Sequence, residues 1–178
     1  MGIKIDMTNT RVRAYRIISA LAAVAAATVT VAVVHDTQSV AVAGESCAAR
    51  VNLALPDGAG QVTLRVLNGT RTAGLAERVS EDFENRGFVM RKPAKSKTAS
   101  DEVAVIEFGP KSVGAAQWIR AFFLGQAEPR FLPSRTTDVI DVVIGDRYRQ
   151  LATQTEVNQS LAQLGEPELP PGTCASPS

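Results

Sequence analysis

Residues 61–88 read QVTLRVLNGTRTAGLAERVSEDFENRGF, and the fold is decided there. Val62, Leu64 and Val66 alternate with Gln61, Thr63 and Arg65, the period of a strand with one buried face. Asn68-Gly69-Thr70 interrupts the strand; Asn and Gly accept positive φ more readily than other residues, which marks a tight turn. From Ala73 onward, Leu75, Ala76, Val79 and Phe83 fall on one face of a helix. Gly87 stands where a left-handed C-cap is wanted, and Phe88 opens a second apolar run. Strand, turn, helix and strand make one crossover unit, expected to be right-handed.

Downstream, 88–91 reads as a short strand and 91–97 as a basic stretch with Arg91, Lys92, Lys95 and Lys97. A solvated loop is the first reading of that stretch, and a surface for anions the second. Residues 103–108 form a strand with Val103, Val105 and Glu107 on one side. Gly109-Pro110 opens a helix that runs to Leu124, with Gly125 as its stop. Its stripe directs Ala116, Ile119 and Phe123 to the core and sets Trp118 and Phe122 toward the edge. There an aromatic flank under a loop is the common arrangement, and a docking patch the rarer one. Residues 129–132 suit a short edge strand. Residues 137–144 are apolar on both faces, as in a central strand with helices over it. Leu151, Val157, Leu161 and Leu164 give 150–164 weak helical spacing, and 165–178 is rich in Pro. Upstream, Val51, Leu53 and Leu55 suggest a strand, and the turn cluster 56–60 would make a hairpin into Gln61. These elements predict an α/β (α+β) fold: a mixed sheet of about four to six strands with two main helices.

Ahead of this domain, Lys4, Arg11, Arg13 and Arg16 precede an uncharged apolar run at 17–34. A span needs about 20 apolar residues, and positive charge before it keeps the N-terminus inside. The expected organisation is a basic cytoplasmic 1–16, a single-pass membrane anchor at 17–35, a linker with a possible first strand at 36–60, the domain at 61–148 and a C-terminal helix with a Pro-rich tail at 149–178. Ala41-Val42-Ala43 resembles a cleavage site, so a removed signal peptide stands beside the anchor reading, with a buried soluble helix third. Both leading readings place the domain outside the cytoplasmic membrane.

Lys+Arg 19 against Asp+Glu 18 leaves a net charge of +1, unlike the basic balance of a nucleic-acid binder. One His, His35, and two Cys do not supply a His/Cys zinc site, and no metal or cofactor is expected. No His remains within the domain to serve as the base of a triad. The Asn68 turn sits where phosphate loops sit, but Arg71-Thr72-Ala73-Gly74 replaces the Gly-Lys-Ser/Thr ending. A plain turn is the first reading and a weak anion site the second. Asn68-Gly69-Thr70 and Asn158-Gln159-Ser160 also fit the short N-glycosylation triplet. Asp138 and Asp141 lie three apart on a strand, on opposite faces, and do not form an acid/base pair. No enzymatic activity is expected. Cys47 and Cys174 bracket the domain; in an exported chain an even pair favours a disulfide, with a catalytic thiol as the rival.

The run from Val62 to Thr70, Ala73-Gly74-Leu75-Ala76, Gly87-Phe88, the segment 105–110 with Ala115-Ala116, and 139–148 together resemble the LytR C-terminal domain family. The resemblance covers 61–148. Many such domains follow a LytR-CpsA-Psr phosphotransferase domain, whose activity is not carried over here. The wider arrangement (basic start, one membrane segment, a lone domain of this kind, a cysteine on each side) resembles the envelope integrity proteins of mycobacteria and their relatives. That implies a membrane-anchored, non-enzymatic factor that maintains the cell envelope by binding or scaffolding. The resemblance supplies no catalytic residue and no ligand. The candidate contact surfaces are Asn68, Gly69, Thr70 and Gly74, then Trp118 and Phe122, then the basic stretch. The expected partner is a wall glycan, a glycolipid or a membrane protein, and the rival readings are a wall glycan- or glycolipid-binding module and an accessory subunit of a glycopolymer ligase or transporter.

Overall fold

The computed structural model describes residues 47–177. The expected membrane segment, 17–35, lies outside them. No helix among the described residues is long and apolar enough to cross a membrane.

β1 (Ala49–Val51) is followed by a 3-10 turn at Ala59–Gln61, β2 (Thr63–Asn68), α1 (Leu75–Glu84) and β3 (Val89–Lys95). β4 (Ala104–Phe108), a 3-10 turn at Pro110–Ser112, α2 (Val113–Ala121) and β5 (Glu128–Phe131) come next. β6 (Ile140–Ile144), α3 (Gln154–Leu164) and β7 (Thr173–Ala175) complete the order. Five strands form one mixed sheet in the order β3-β2-β6-β4-β5. β3, β2 and β6 run parallel, β6 and β4 antiparallel, and β4 and β5 parallel. Two strand-helix-strand units thus lie on either side of β6, which comes late in the chain and joins them.

The alternation along β2 and β6 sorts the sheet into two faces. Leu64, Val66, Ile140, Val142 and Ile144 are buried and share one core with Ala76, Val79, Phe83, Ala116, Ile119 and Val157 of the three helices. The opposite face carries Arg65, Asp141 and Glu107, paired side by side across β2, β6 and β4. β6 is therefore central, as its two apolar faces require, but helices cover only one of them. Val143 and Val105, on the other face, are buried outside that core.

Several expectations are corrected. Beside the two main helices, the weak spacing at 150–164 does form a third α-helix, Gln154–Leu164. α3 is fixed at its start by a capping box, Thr153 with Glu156, in which each side chain satisfies the other's backbone N–H. The segment after Cys47 does not make a hairpin into Gln61. Ala49–Val51 pairs in parallel with Thr173–Ala175, and Val51 is buried in the core. The chain then crosses the start of α2, where Asn52 N donates to Pro110 O at 2.8 Å and Gly114 N donates to Asn52 O at 3.0 Å. β3 runs on past Arg91 to Lys95, taking in most of the basic stretch; Pro93 is tolerated because β3 is an edge. The 110–124 helix divides into a 3-10 turn and a shorter α-helix. The α-helix ends at Ala121, and turns carry the chain through Leu124, at φ 54, to Gly125, whose φ of 74 and N–H to Arg120 O fit the expected stop.

α1 ends as expected. Gly87 takes φ 91, its N–H donates to Glu84 O, and Phe88 N donates to Phe83 O. These two bonds are the Schellman closure, and they set Phe88 against Phe83 with ring centroids 5.4 Å apart. Cys47 and Cys174 are joined in a disulfide with Cα atoms 5.7 Å apart. Beside it, Ala48 N donates to Gly172 O and Ser176 N to Val51 O, so the bond sits on a small hydrogen-bonded ladder.

Candidate functional site

β2, β3 and β6 run parallel, so their C-terminal ends come out on one edge of the sheet. In open α/β sheets this edge is where ligands collect. Here it holds a concavity of about 450 Å³ lined by the turn 68–72, by 95–99 and by Asp146.

Asn68 holds the turn from within. Its Oδ1 accepts from Thr70 N and Thr70 Oγ1, both at 2.9 Å, and its Nδ2 donates to Thr72 O at 2.7 Å. Thr70 Oγ1 in turn accepts from Thr72 N at 3.0 Å. The Asn68 amide is thus engaged by its own turn, an arrangement that favours the structural reading of the triplet. Gly69 N donates to Ile144 O, Ser96 N to Asn68 O and Ser100 N to Gly69 O, so three neighbouring segments are clamped together.

The expected reason for Gly69 is corrected. Its φ is not positive; positive φ belongs to Gly74, at 71, on the N-cap of α1. Gly69 is required for closeness: a Cβ there would meet Ile144 O at 2.8 Å and Val143 Cγ1 at 3.1 Å. Gly74 has open space around the same imagined atom and lies outside the lining of the concavity.

Two stretches that the sequence presents separately meet here. The Asn68 turn brings Arg71, and the basic stretch brings Lys95 and Lys97. All three are exposed, and none takes part in an ion pair among the described residues. Asp146 is the one carboxylate in the lining, so the rim is cationic, with the hydroxyls of Thr72, Ser96 and Thr98 between the charges. Such a rim has the chemistry to hold an anion or a hydroxyl-rich chain.

Trp118 and Phe122 are elsewhere. Phe122 is 1% exposed, which corrects its placement on a docking surface. It packs against Phe83, Phe88 and Trp118 at centroid distances of 5.3–5.9 Å. Trp118, half-buried, leans on Phe88 at 5.2 Å. These rings join α1 to α2. Extending the α2 register past Ala121, where the helix turns, misplaced Phe122 by part of a turn.

The buried charges of the open sheet face escaped the sequence reading. Asp141, 2% exposed, accepts two bonds from Arg65 and one from Arg135, at 2.7–2.8 Å. Burial pushes its carboxyl up, but the hydrogen bonds and charges of Arg65 and Arg135 outweigh this and hold it below the ordinary carboxylate value. Arg65 is 76 positions away in the chain, and no local spacing reveals that pairing.

Residues 61–148 match the family model LytR_C, described as the LytR cell envelope-related transcriptional attenuator. No curated protein matches the chain. Among solved structures, one similar chain is the soluble domain of a conserved hypothetical secreted protein, the Rv2700 ortholog from Mycobacterium marinum. It is 26% identical, with a TM-score of 0.50, over 64% of this chain and 82% of that one. Rv2700 is the envelope integrity protein Cei. The strand, Asn-Gly turn, helix and strand of 61–88, with β4 and β6 beside them, place a LytR_C domain at residues 61–148 of this chain.

Proposed function

We propose that this chain is a non-enzymatic, membrane-anchored factor of the cell envelope, acting outside the cytoplasmic membrane, and that it works by holding an anionic wall glycan or glycolipid in the concavity at the C-terminal ends of β2, β3 and β6. The observation that carries this is the rim of three cations without carboxylate partners, Arg71, Lys95 and Lys97, set on a backbone that Gly69 and Asn68 hold rigid. The fixed backbone keeps the three cations near one another, and their contribution to binding a polyanion falls with salt. The disulfide supports an oxidising location. So does the likeness to a soluble domain of a secreted protein. The apolar run ahead of the domain supports the anchor.

The test is co-sedimentation of residues 37–178 with protein-stripped cell-wall sacculi. Saturable pelleting that weakens with salt and is lost when the glycan is digested is expected. The variant R71E/K95E/K97E, altered only at exposed side chains, should pellet at least about tenfold less. Equal pelleting of variant and parent, or a domain that stays in the supernatant at low salt, overturns the reading.

A further inference from the structure

A second cavity lies away from the sheet edge. It is a cleft of about 510 Å³ between α2, β5, the end of α3 and the chain segment that follows α3. That volume falls within the usual range for small-molecule sites, about 300–1,000 Å³. Val113, Ala116, Phe131, Leu164 and Leu169 give it apolar walls.

The outer wall is built, although it has no regular structure before β7. Gln117 is buried, and its Nε2 donates to Leu164 O at 3.2 Å and to Gly165 O at 3.4 Å, which fixes the near end. The far end is tied by the Cys47–Cys174 bond. Between these points Pro167, Pro170 and Pro171 stiffen the wall, and Leu169 on it remains 49% exposed.

Among the lining residues Gln117, Arg120, Gln163 and Glu168 are polar, and Arg120 is the one cation. Arg120 lines the cleft and is half-buried. Its Nε donates to Ala127 O at 3.4 Å and its Nη1 to Gln117 Oε1 at 3.1 Å, both neutral acceptors. Glu168 also lines the cleft but forms no ion pair with Arg120. Arg135, comparably covered, has Asp141 at 2.8 Å. A half-buried guanidinium that bonds only to neutral groups retains its capacity for a charge-assisted bond to an anion.

We propose that this cleft takes the apolar chain of an anionic membrane lipid, with Arg120 receiving the head group. The apolar walls favour a hydrocarbon chain over a polar glycan. The Arg120 guanidinium, in no ion pair among the described residues, selects a head with one negative charge beside the chain, and the wall through Leu169 lies over the chain. This site is separate from the cationic rim and does not depend on it.

The test uses residues 37–178, which include the whole described core and both cysteines, titrated with the fluorescent fatty acid cis-parinaric acid at submicellar concentration. Saturable one-to-one binding is expected, displaced by oleate about tenfold better than by oleyl alcohol. R120Q should erase that preference, so that oleate displaces the probe no better than oleyl alcohol does. L169E, on an exposed position, should weaken both competitors. No saturable uptake overturns the proposal. So does equal displacement by acid and alcohol in the parent, or a preference that survives in R120Q. Near-UV circular dichroism of each variant separates loss of the site from loss of the fold.

Discussion

Gly69 and Asp141 carry more of the architecture than their neighbours suggest. Gly69 lies where β2 leaves the sheet, hard against the end of β6. G69A places a methyl group 2.8 Å from Ile144 O, so the clamp at 68, 96 and 144 must open; we expect a loss of about 1–3 kcal/mol. G74A forces a side chain into positive φ in open space, at about 1 kcal/mol. Urea midpoints should rank G69A as the weaker protein, the reverse of what a positive-φ turn at Asn-Gly would give. Asp141 sets the response to acid. Its folded pKa is lowered, so its contribution is complete above the ordinary carboxylate value of about 4 and is lost as pH falls through the folded value. The urea midpoint should be flat above about pH 5 and fall below pH 4, and D141N should reduce that slope while lowering the plateau. A slope identical in parent and variant contradicts the assignment.

At the scale of elements, periodicity is legible where one face is buried and caps are local. β2, α1 with its Gly87 closure, β4 and β6 are all readable because their signals lie within a few residues of one another. α3 has a weak apolar stripe, since it buries only Val157 and Ser160 fully. Its clearest local sign is the Thr153-x-x-Glu156 box, and the spacing alone understated it. β1 was misread because its partner is β7, at the other end of the domain. Alternation at 51–55 cannot choose between a near neighbour and a far one, whereas Cys47 and Cys174 carried that long-range information. The concavity divides the same way. The Asn68 turn and the basic stretch are each visible in the sequence, but their meeting depends on the β2–β3 register, Asn68 opposite Lys95. Phe122 shows the converse: helical spacing placed it at an edge, and the turn after Ala121 rolled it into the core.

Across the whole domain, the first and last described segments are fastened to each other. The disulfide spans 127 positions, and chain-entropy reasoning assigns such a closure about 4–5 kcal/mol. There is also a mechanical consequence. A pull applied ahead of Cys47 and after Cys174 runs through the sulfur–sulfur bond and bypasses the sheet. Roughly 430 Å of contour, the 127 positions at about 3.4 Å each, is withheld from extension. An optical trap holding the chain by handles on both sides of the cysteines should record no unfolding step of that size in the oxidised domain and a single long one after reduction. A long step in the oxidised protein contradicts this. Under tension the oxidised domain is a link of fixed length between Cys47 and Cys174, and the folded sheet carries none of the load between them.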